Sequence, residues 1–166
     1  MRIAVISDTH MPKRAKQIPK RLLQGIQGVD LILHAGDWTN LEVFNLFEKI
    51  APIDGVAGNN DGPEIISRLG RKKMINVAGV RIGMIHGDGT QKTTEIRAWQ
   101  AFANEQVDVI IFGHSHIPFL KWHKGVLIFN PGSPTDKRFQ PRYSYGILEL
   151  SGGKIQAKHF YYDDKS

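Results

Sequence analysis

The chain has no cysteine, which removes disulfides and thiolate metal ligation from consideration. Long apolar runs are missing too. The longest clean one, residues 109–112, falls far short of the roughly 20 residues needed to cross a bilayer, so no membrane partner is expected. Met1-Arg2 leads directly into Ile3-Ala4-Val5-Ile6, too short a run for a signal peptide and without a small-residue cleavage region; a cytoplasmic location is the expectation. No internal repeat, low-complexity tract or linker interrupts the chain, so residues 1–166 are expected to form a single domain.

The 166 residues suffice for a sizeable core, since a chain of this length buries about 70% of its unfolded surface. Apolar residues make up 41%, and 17 glycines with 8 prolines suit an α/β protein with many turns. The net charge of +6 would suit a phosphate-rich partner. The excess is scattered, however, with local concentrations only at Lys13-Arg14-Lys16, Arg71-Lys72-Lys73 and Lys137-Arg138. None alternates with aromatics as a single-strand stacking platform would, so nucleic acid is not the favoured partner.

Hydrophobic periodicity predicts strands over 2–7, 30–34, 53–57 and 107–112, each ending in a polar cluster. Helices are expected over 19–24, from Asn40 to just before Pro52, over 64–69, and over 92–105 with Ile96, Trp99 and Ala103 facing inward. Residues 74–77 and 80–86 read as a hairpin, and further strands are expected over 119–122, 126–129, 144–150 and 154–160. The first half alternates with helices and the second is mostly strands, which suggests two sheets packed face to face with helices outside.

Five polar clusters follow predicted strands: Asp8-Thr9-His10, Gly36-Asp37, Gly58-Asn59-Asn60-Asp61, His86-Gly87-Asp88 and Gly113-His114-Ser115-His116. If the backbone is extended there, Asp8/His10 and His114/His116 each point to one side, roughly 6.5–7 Å apart, and each pair offers two ligands to one site. Taken singly, Asp8 reads equally as a turn former, Asn59 as a helix cap and each histidine as a hydrogen-bonded structural residue. Taken together, two aspartates, one asparagine and four histidines fit a nitrogen and oxygen site for two borderline divalent metals. Such a pair sits about 3.5–4 Å apart, acidifies a water and clamps a phosphoryl oxygen. His34, inside its strand, reads as structural or as a support for the ligands, and His123 and His159 as surface residues.

In this order the five clusters resemble the calcineurin-like metallophosphoesterases. The early start IAVISDTH, the GNND box at Gly58–Asp61 and the FNPGSP segment at Phe129–Pro134 resemble the family's small bacterial and archaeal phosphodiesterases. The resemblance covers residues 1 to about 160. It implies a four-layer αββα sandwich of two mixed β-sheets, and two divalent metals, manganese first, with nickel, iron, cobalt or zinc as alternatives. One metal would be held by Asp8, His10 and His116, the other by Asn59, His86 and His114, with Asp37 bridging. The implied activity is hydrolysis of phosphate esters, small diesters above others, by in-line attack of a metal-bridging hydroxide. Asp37, Asn60 and Asp61 are the candidate catalytic residues.

Two positions depart from the wider family. Asn60 stands where many members have the histidine assigned to protonate the leaving group, and an amide can donate a hydrogen bond to phosphate but cannot act as an acid near neutral pH. Asp88 stands where relatives often have histidine, either supporting the metals or forming a turn. Asn130-Pro131-Gly132-Ser133 either aims backbone N–H groups at phosphate or is a rigid turn, and Arg138 and Arg142 are candidate phosphate contacts by charge. The alternatives to a small-diester enzyme are a nuclease and a non-catalytic scaffold, the role a eukaryotic retromer-coat relative gives this fold. The resemblance also suggests a homo-oligomer, dimer or tetramer.

Overall fold

The computed structural model describes residues 1–166. In chain order the elements are β1 (Arg2–Ile6), α1 (Lys20–Gly25), β2 (Leu31–His34), α2 (Glu42–Glu48), β3 (Ile53–Gly55), α3 (Pro63–Leu69), β4 (Lys72–Val77) and β5 (Val80–Ile85). They continue with α4 (Thr94–Ala101), β6 (Val109–Ile111), β7 (Phe119–His123), β8 (Val126–Asn130), β9 (Tyr143–Ser151) and β10 (Lys154–Tyr162). One sheet has the order β10-β9-β1-β2-β3 and the other β4-β5-β6-β8-β7. Both are mixed: β1, β2 and β3 run parallel, as do β5, β6 and β8, while β9, β10, β4 and β7 are antiparallel to their neighbours.

The period-two alternation of β1 explains the layering. Ile3 and Val5 point between the sheets, into a core shared with Leu33, Val56, Ile82, Met84, Val109, Ile111, Leu127 and Phe129. Ala4 and Ile6 point the other way, onto a second core closed by Leu22 of α1, Val43, Phe44 and Phe47 of α2, and Ile65 and Leu69 of α3. A third, smaller core joins Ala98 and Phe102, on and just after α4, to Ile110, Phe112 and Ile128 on the outer face of the second sheet. The result is helix, sheet, sheet, helix. Each fully buried Ile, Leu or Phe in these layers contributes about 1.5–3 kcal/mol. No helix is long and apolar enough to cross a membrane.

Several boundaries differ from the sequence expectation. Asn40 does not open α2; its Oδ1 accepts the Glu42 N–H in a local turn, and the helix begins two residues later. The expected 92–105 helix is shorter, because the Thr93 hydroxyl caps it at the Ile96 N–H and regular structure stops at Ala101. Its inner face is Thr94, Ala98 and Phe102; Ile96, expected inside, is 42% exposed, and Ala103 is exposed as well. The 107–112 strand is shorter, β6 covering Val109–Ile111, and Asp108 just before it pairs its carboxylate with Arg81.

Candidate metal centre

Parallel strands aligned in two facing sheets bring the carboxyl ends of β1, β2, β3, β5 and β6 to one end of the sandwich, where open α/β sheets form ligand sites. All the candidate metal ligands follow these ends. The chain is not extended there. Asp8, His10, Asp37, His114 and His116 all have positive φ, between 45° and 71°, so the premise of extended i, i+2 pairs does not hold. Left-handed backbone at non-glycine residues costs of order 1–3 kcal/mol each. Contacts between loops hold it in place. Asp8 N–H donates to the Gly36 carbonyl (2.9 Å), His10 N–H to the Asp37 carbonyl (3.1 Å) and Gly113 N–H to the His86 carbonyl (3.0 Å).

Two glycines serve these loops by taking little space. A Cβ at Gly58 would overlap the Asp37 carboxylate, and one at Gly113 would overlap the Ser7 hydroxyl and approach Asp8 Oδ2 to 2.7 Å.

The side chains converge tightly. Asp8 Oδ1 lies 3.5 Å from His116 Nε2, 3.6 Å from His86 Nε2 and 3.9 Å from His10 Nε2. Asp37 Oδ2 lies 3.2 Å from His86 Nε2 and 3.5 Å from His10 Nε2. Two compact donor sets result: Asp8, His10 and His116, and Asp8, Asp37 and His86, in each of which the ligand atoms lie within 4.8 Å of one another. Asp8 therefore borders both sets, where the resemblance assigned it to one. Asn59 and His114 sit at the rim, with His114 Nδ1 3.3 Å from Asn59 Oδ1 and its ring edge-on to His86 at 5.3 Å.

His86, His116 and Asp8 are each aimed by a partner on the far side. His86 Nδ1 donates to the Ala35 carbonyl (2.8 Å), and His116 Nδ1 donates to the Asp136 carbonyl. In the neutral rings, Nε2 is then an acceptor facing inward. Asp8 Oδ2 accepts from the Ser7 hydroxyl (2.8 Å) and the His114 N–H (3.0 Å), leaving Oδ1 free.

Asp8 Oδ1 and the Nε2 atoms of His10, His86 and His116 are buried and have no hydrogen-bond partner. Buried acceptors facing one another at 3–4 Å are costly unless a cation or a proton lies between them. Hence the donor set fits divalent metal. Burial opposes a charge on His86, but Asp8 and Asp37 outweigh it and raise the imidazole to about 9. Burial also opposes ionised Asp37, yet the His86 imidazole at 3.2 Å and the hydrogen bonds from Asn60 hold it well below the usual carboxylate range. Burial lowers His10 and His114, keeping them neutral and able to ligate.

The structure revises other expectations. Asn60 was expected to reach phosphate. Instead its N–H and Nδ2 each donate at 2.9 Å to the two Asp37 oxygens, clamping that carboxylate from one side. Asp61, expected among the catalytic residues, is buried, and its oxygens accept the N–H groups of Asp37 (2.8 Å), Gly58 (2.7 Å) and Thr39 (2.7 Å). It ties two ligand loops together. Residues 130–133 are the rigid turn: Asn130 and Ser133 are buried, and Ser133 Oγ donates to the Asp8 carbonyl at 2.8 Å.

Arg142 stacks over Tyr161 at 4.7 Å and Arg138 is exposed; no observed contact ties either to the site. Asp88 is exposed, near enough to His114 for its charge to raise that ring's pKa slightly against the burial. His159 is not a surface residue, since it stacks on Phe129 at 4.5 Å and bonds the Asn130 carbonyl at 2.7 Å. His123 is half-buried, edge-on to Trp99. His34 is structural. Nδ1 accepts the Gly36 N–H (3.1 Å), so the proton sits on Nε2, which donates to Thr9 Oγ1 (3.0 Å), and burial pushes its pKa well down.

Sequence reasoning missed Ser7, Thr135 and Asp136. Thr135 Oγ1 donates to the Thr9 carbonyl at 2.6 Å, and Asp136 acts on His116 through its backbone oxygen. Ser7 and Thr135 have polar side chains beside the motifs as a signal, whereas any residue type could supply the Asp136 carbonyl.

The model of the calcineurin-like phosphoesterase superfamily domain matches residues 1–153. The chain belongs to that superfamily. It is 35% identical over 158 residues to a probable metallophosphoesterase of Methanothermobacter thermautotrophicus, covering 95% of this chain and 91% of the relative. A phosphodiesterase of Methanocaldococcus jannaschii is 29% identical over 146 residues, 80% of this chain and 83% of that one. Among solved structures, Chaetomium thermophilum Vps29 superposes with a TM-score of 0.80 at 20% identity, over 98% of both chains, a likeness of fold. The calcineurin-like fold thus carries both the two sheets and the convergent ligand loops described above.

Proposed function

We propose that this calcineurin-like chain is a metal-dependent phosphodiesterase acting on small diesters. The observation that carries this reading is the set of buried, unpartnered acceptors of Asp8, His10, His86 and His116 gathered beside Asp37. A phosphodiesterase among the relatives supports the same chemistry.

Asp8, His10 and His116 would hold one divalent ion, and Asn59, His86 and His114 the other, with Asp37 between them and Asp8 close to both. Bound there, the two ions would supply Lewis acidity, lower the pKa of a water and neutralise charge building on phosphorus. The chain's own part is positional. Ala35 and Asp136 fix imidazole tautomers, Asn60 locks the Asp37 carboxylate, and Asp61 holds the Asp37 and Gly58 loops in register. The imidazoles, neutral when ligating, limit negative charge so that an anionic diester can approach. Asn60, an amide, supplies no side-chain acid at that position, so diesters with good leaving groups should react fastest.

The test is a screen of metal-stripped protein against monoesters, linear diesters and cyclic nucleotides with manganese, nickel, cobalt, iron and zinc. The proposal expects diester turnover that depends on added metal, manganese most of all. Absence of turnover with every metal and substrate would refute it. The likeness to Vps29 favours a scaffold as the second reading, and that outcome would raise it.

A further inference from the structure

A cavity of about 480 Å³ opens between the segment that follows Asp37 and the segment that follows Asn60. Thr39, Asn40 and Leu41 line one side and Gly62, Pro63, Glu64 and Ile65 the other. Its volume is in the range that holds a small organic group. Because Asp37 and Asn60 clamp each other, and Thr39 N–H is tied to Asp61, both walls are fixed to the metal centre. Thr39 and Gly62 each stand two residues beyond the Asp37–Asn60 clamp, which sets the cavity beside the metal centre.

The lining states what arm would fit. It holds no lysine or arginine and one carboxylate, Glu64, so a second phosphate or other anionic group is disfavoured. The polar groups suit hydroxyls. Glu64 offers acceptor oxygens, and Asn40 commits its Oδ1 to the Glu42 N–H, which leaves its Nδ2 donors available. Thr39 Oγ1 donates to the Met11 carbonyl and can still accept. Leu41, Pro63 and Ile65 supply an apolar surface for a carbon ring. A carboxylate accepting from neighbouring hydroxyls is the means by which dinucleotide-binding folds hold ribose.

Resting on the phosphodiesterase reading, we infer that this cavity is the subsite for an uncharged, vicinal-diol arm of the substrate, a ribose or glycerol unit, with Glu64 accepting its hydroxyls. Gly62 makes the cavity testable without disturbing the fold. Its backbone is extended, with φ −85° and ψ −179°, and a Cβ there meets nothing within 4 Å. Gly62→Leu would therefore add an apolar side chain to the cavity lining without straining the chain.

The experiment uses the full chain loaded with manganese and two kinds of readout. The first compares kcat/KM for the p-nitrophenyl esters of uridine 5′-phosphate and of its 2′,3′-dideoxy counterpart, with a glyceryl p-nitrophenyl phosphate as the glycerol arm. The second is calorimetric binding of uridine 5′-phosphate against the dideoxy nucleotide. The diol ester is expected to exceed the dideoxy ester at least about tenfold, chiefly through KM, since the dideoxy arm loses both hydroxyl hydrogen bonds to a charged group. Glu64→Ala and Gly62→Leu should each bring that ratio, and the matching ratio of binding constants, close to one. If the unmodified protein treats diol and dideoxy ligands alike in binding, or if Glu64→Ala weakens both equally, the subsite is refuted. Turnover of neither ester with the binding preference intact would refute the phosphodiesterase reading and leave the subsite standing.

Discussion

The two halves of the candidate metal centre are built differently. Asp8, His10 and His116 are buried, and fixed partners set two of them: the Ser7 hydroxyl and His114 N–H on Asp8, and the Asp136 carbonyl on His116. Across the Asp37 carboxylate, Asn59 is exposed and His114 half-exposed, and their mutual contact at 3.3 Å is the hydrogen bond that orients both side chains. One half is buried throughout; the other joins a buried His86, held by the Ala35 carbonyl, to two solvent-facing ligands that the cation itself would complete. The buried half should thus bind metal more tightly, and the open half should exchange it and face the substrate.

Mutations that cross, spare or unbalance the halves test this difference. Asp37→Ala removes the carboxylate between them and should cut diester turnover about a thousandfold or more, with metal content lowered at both positions by elemental analysis. Retention of both metals would contradict its bridging place. His116→Ala should lose the tight metal and most of the activity. His114→Ala should instead keep one equivalent per chain and lose the weakly held one, as two-site calorimetry would resolve. Equal loss from both variants would erase the proposed asymmetry.

Asn60→Ala deletes only the side-chain half of the clamp on Asp37. A drop of about 10- to 100-fold in metal affinity or turnover is expected, the usual cost of losing a partner that orients a ligand. Ser133→Ala replaces no ligand but frees the Asp8 carbonyl and the N–H groups of Thr135 and Asp136. It should cost about 1–3 kcal/mol, seen as a Tm lower by several degrees, with metal stoichiometry intact.

The smallest expected effect concerns pH. In metal-free protein the folded pKa of His86 is about 9, above its ordinary 6.5, so the proton it shares with Asp8 and Asp37 stabilises the fold fully below about pH 6.5. That contribution fades as pH rises through 9. Metal-free protein should therefore lose Tm between pH 7 and 9.5 by more than metal-loaded protein, in which no proton occupies the site; parallel curves would contradict the assignment.

Much of this was legible in the sequence because strand-end chemistry is local. An apolar run that stops at Gly36-Asp37 or Gly113-His114 places a ligand at a strand end whatever the rest of the chain does, and the αββα layering follows from where helices give way to hairpins. Features fixed by distant contacts were not legible. Asn60 could not be assigned to Asp37 rather than to phosphate without knowing that the two loops meet. Ser133, more than a hundred residues from Asp8, carries no local mark of its hydrogen bond to that loop. The same limit applied to α4. Its apolar residues suggested Ile96 inside, while the space above Ile110 and Ile128 accepts only the small Ala98 beside Phe102. Likewise His159 reads as a surface residue until Phe129 of the other sheet is seen against its ring.

The most direct test of the metal-dependent enzyme is turnover of bis(p-nitrophenyl) phosphate by chelator-stripped protein before and after manganese is added back. The proposed function predicts no turnover when stripped and recovery that saturates near two metal equivalents per chain. Undiminished activity in the stripped protein, or none after reloading with any divalent metal, would contradict it.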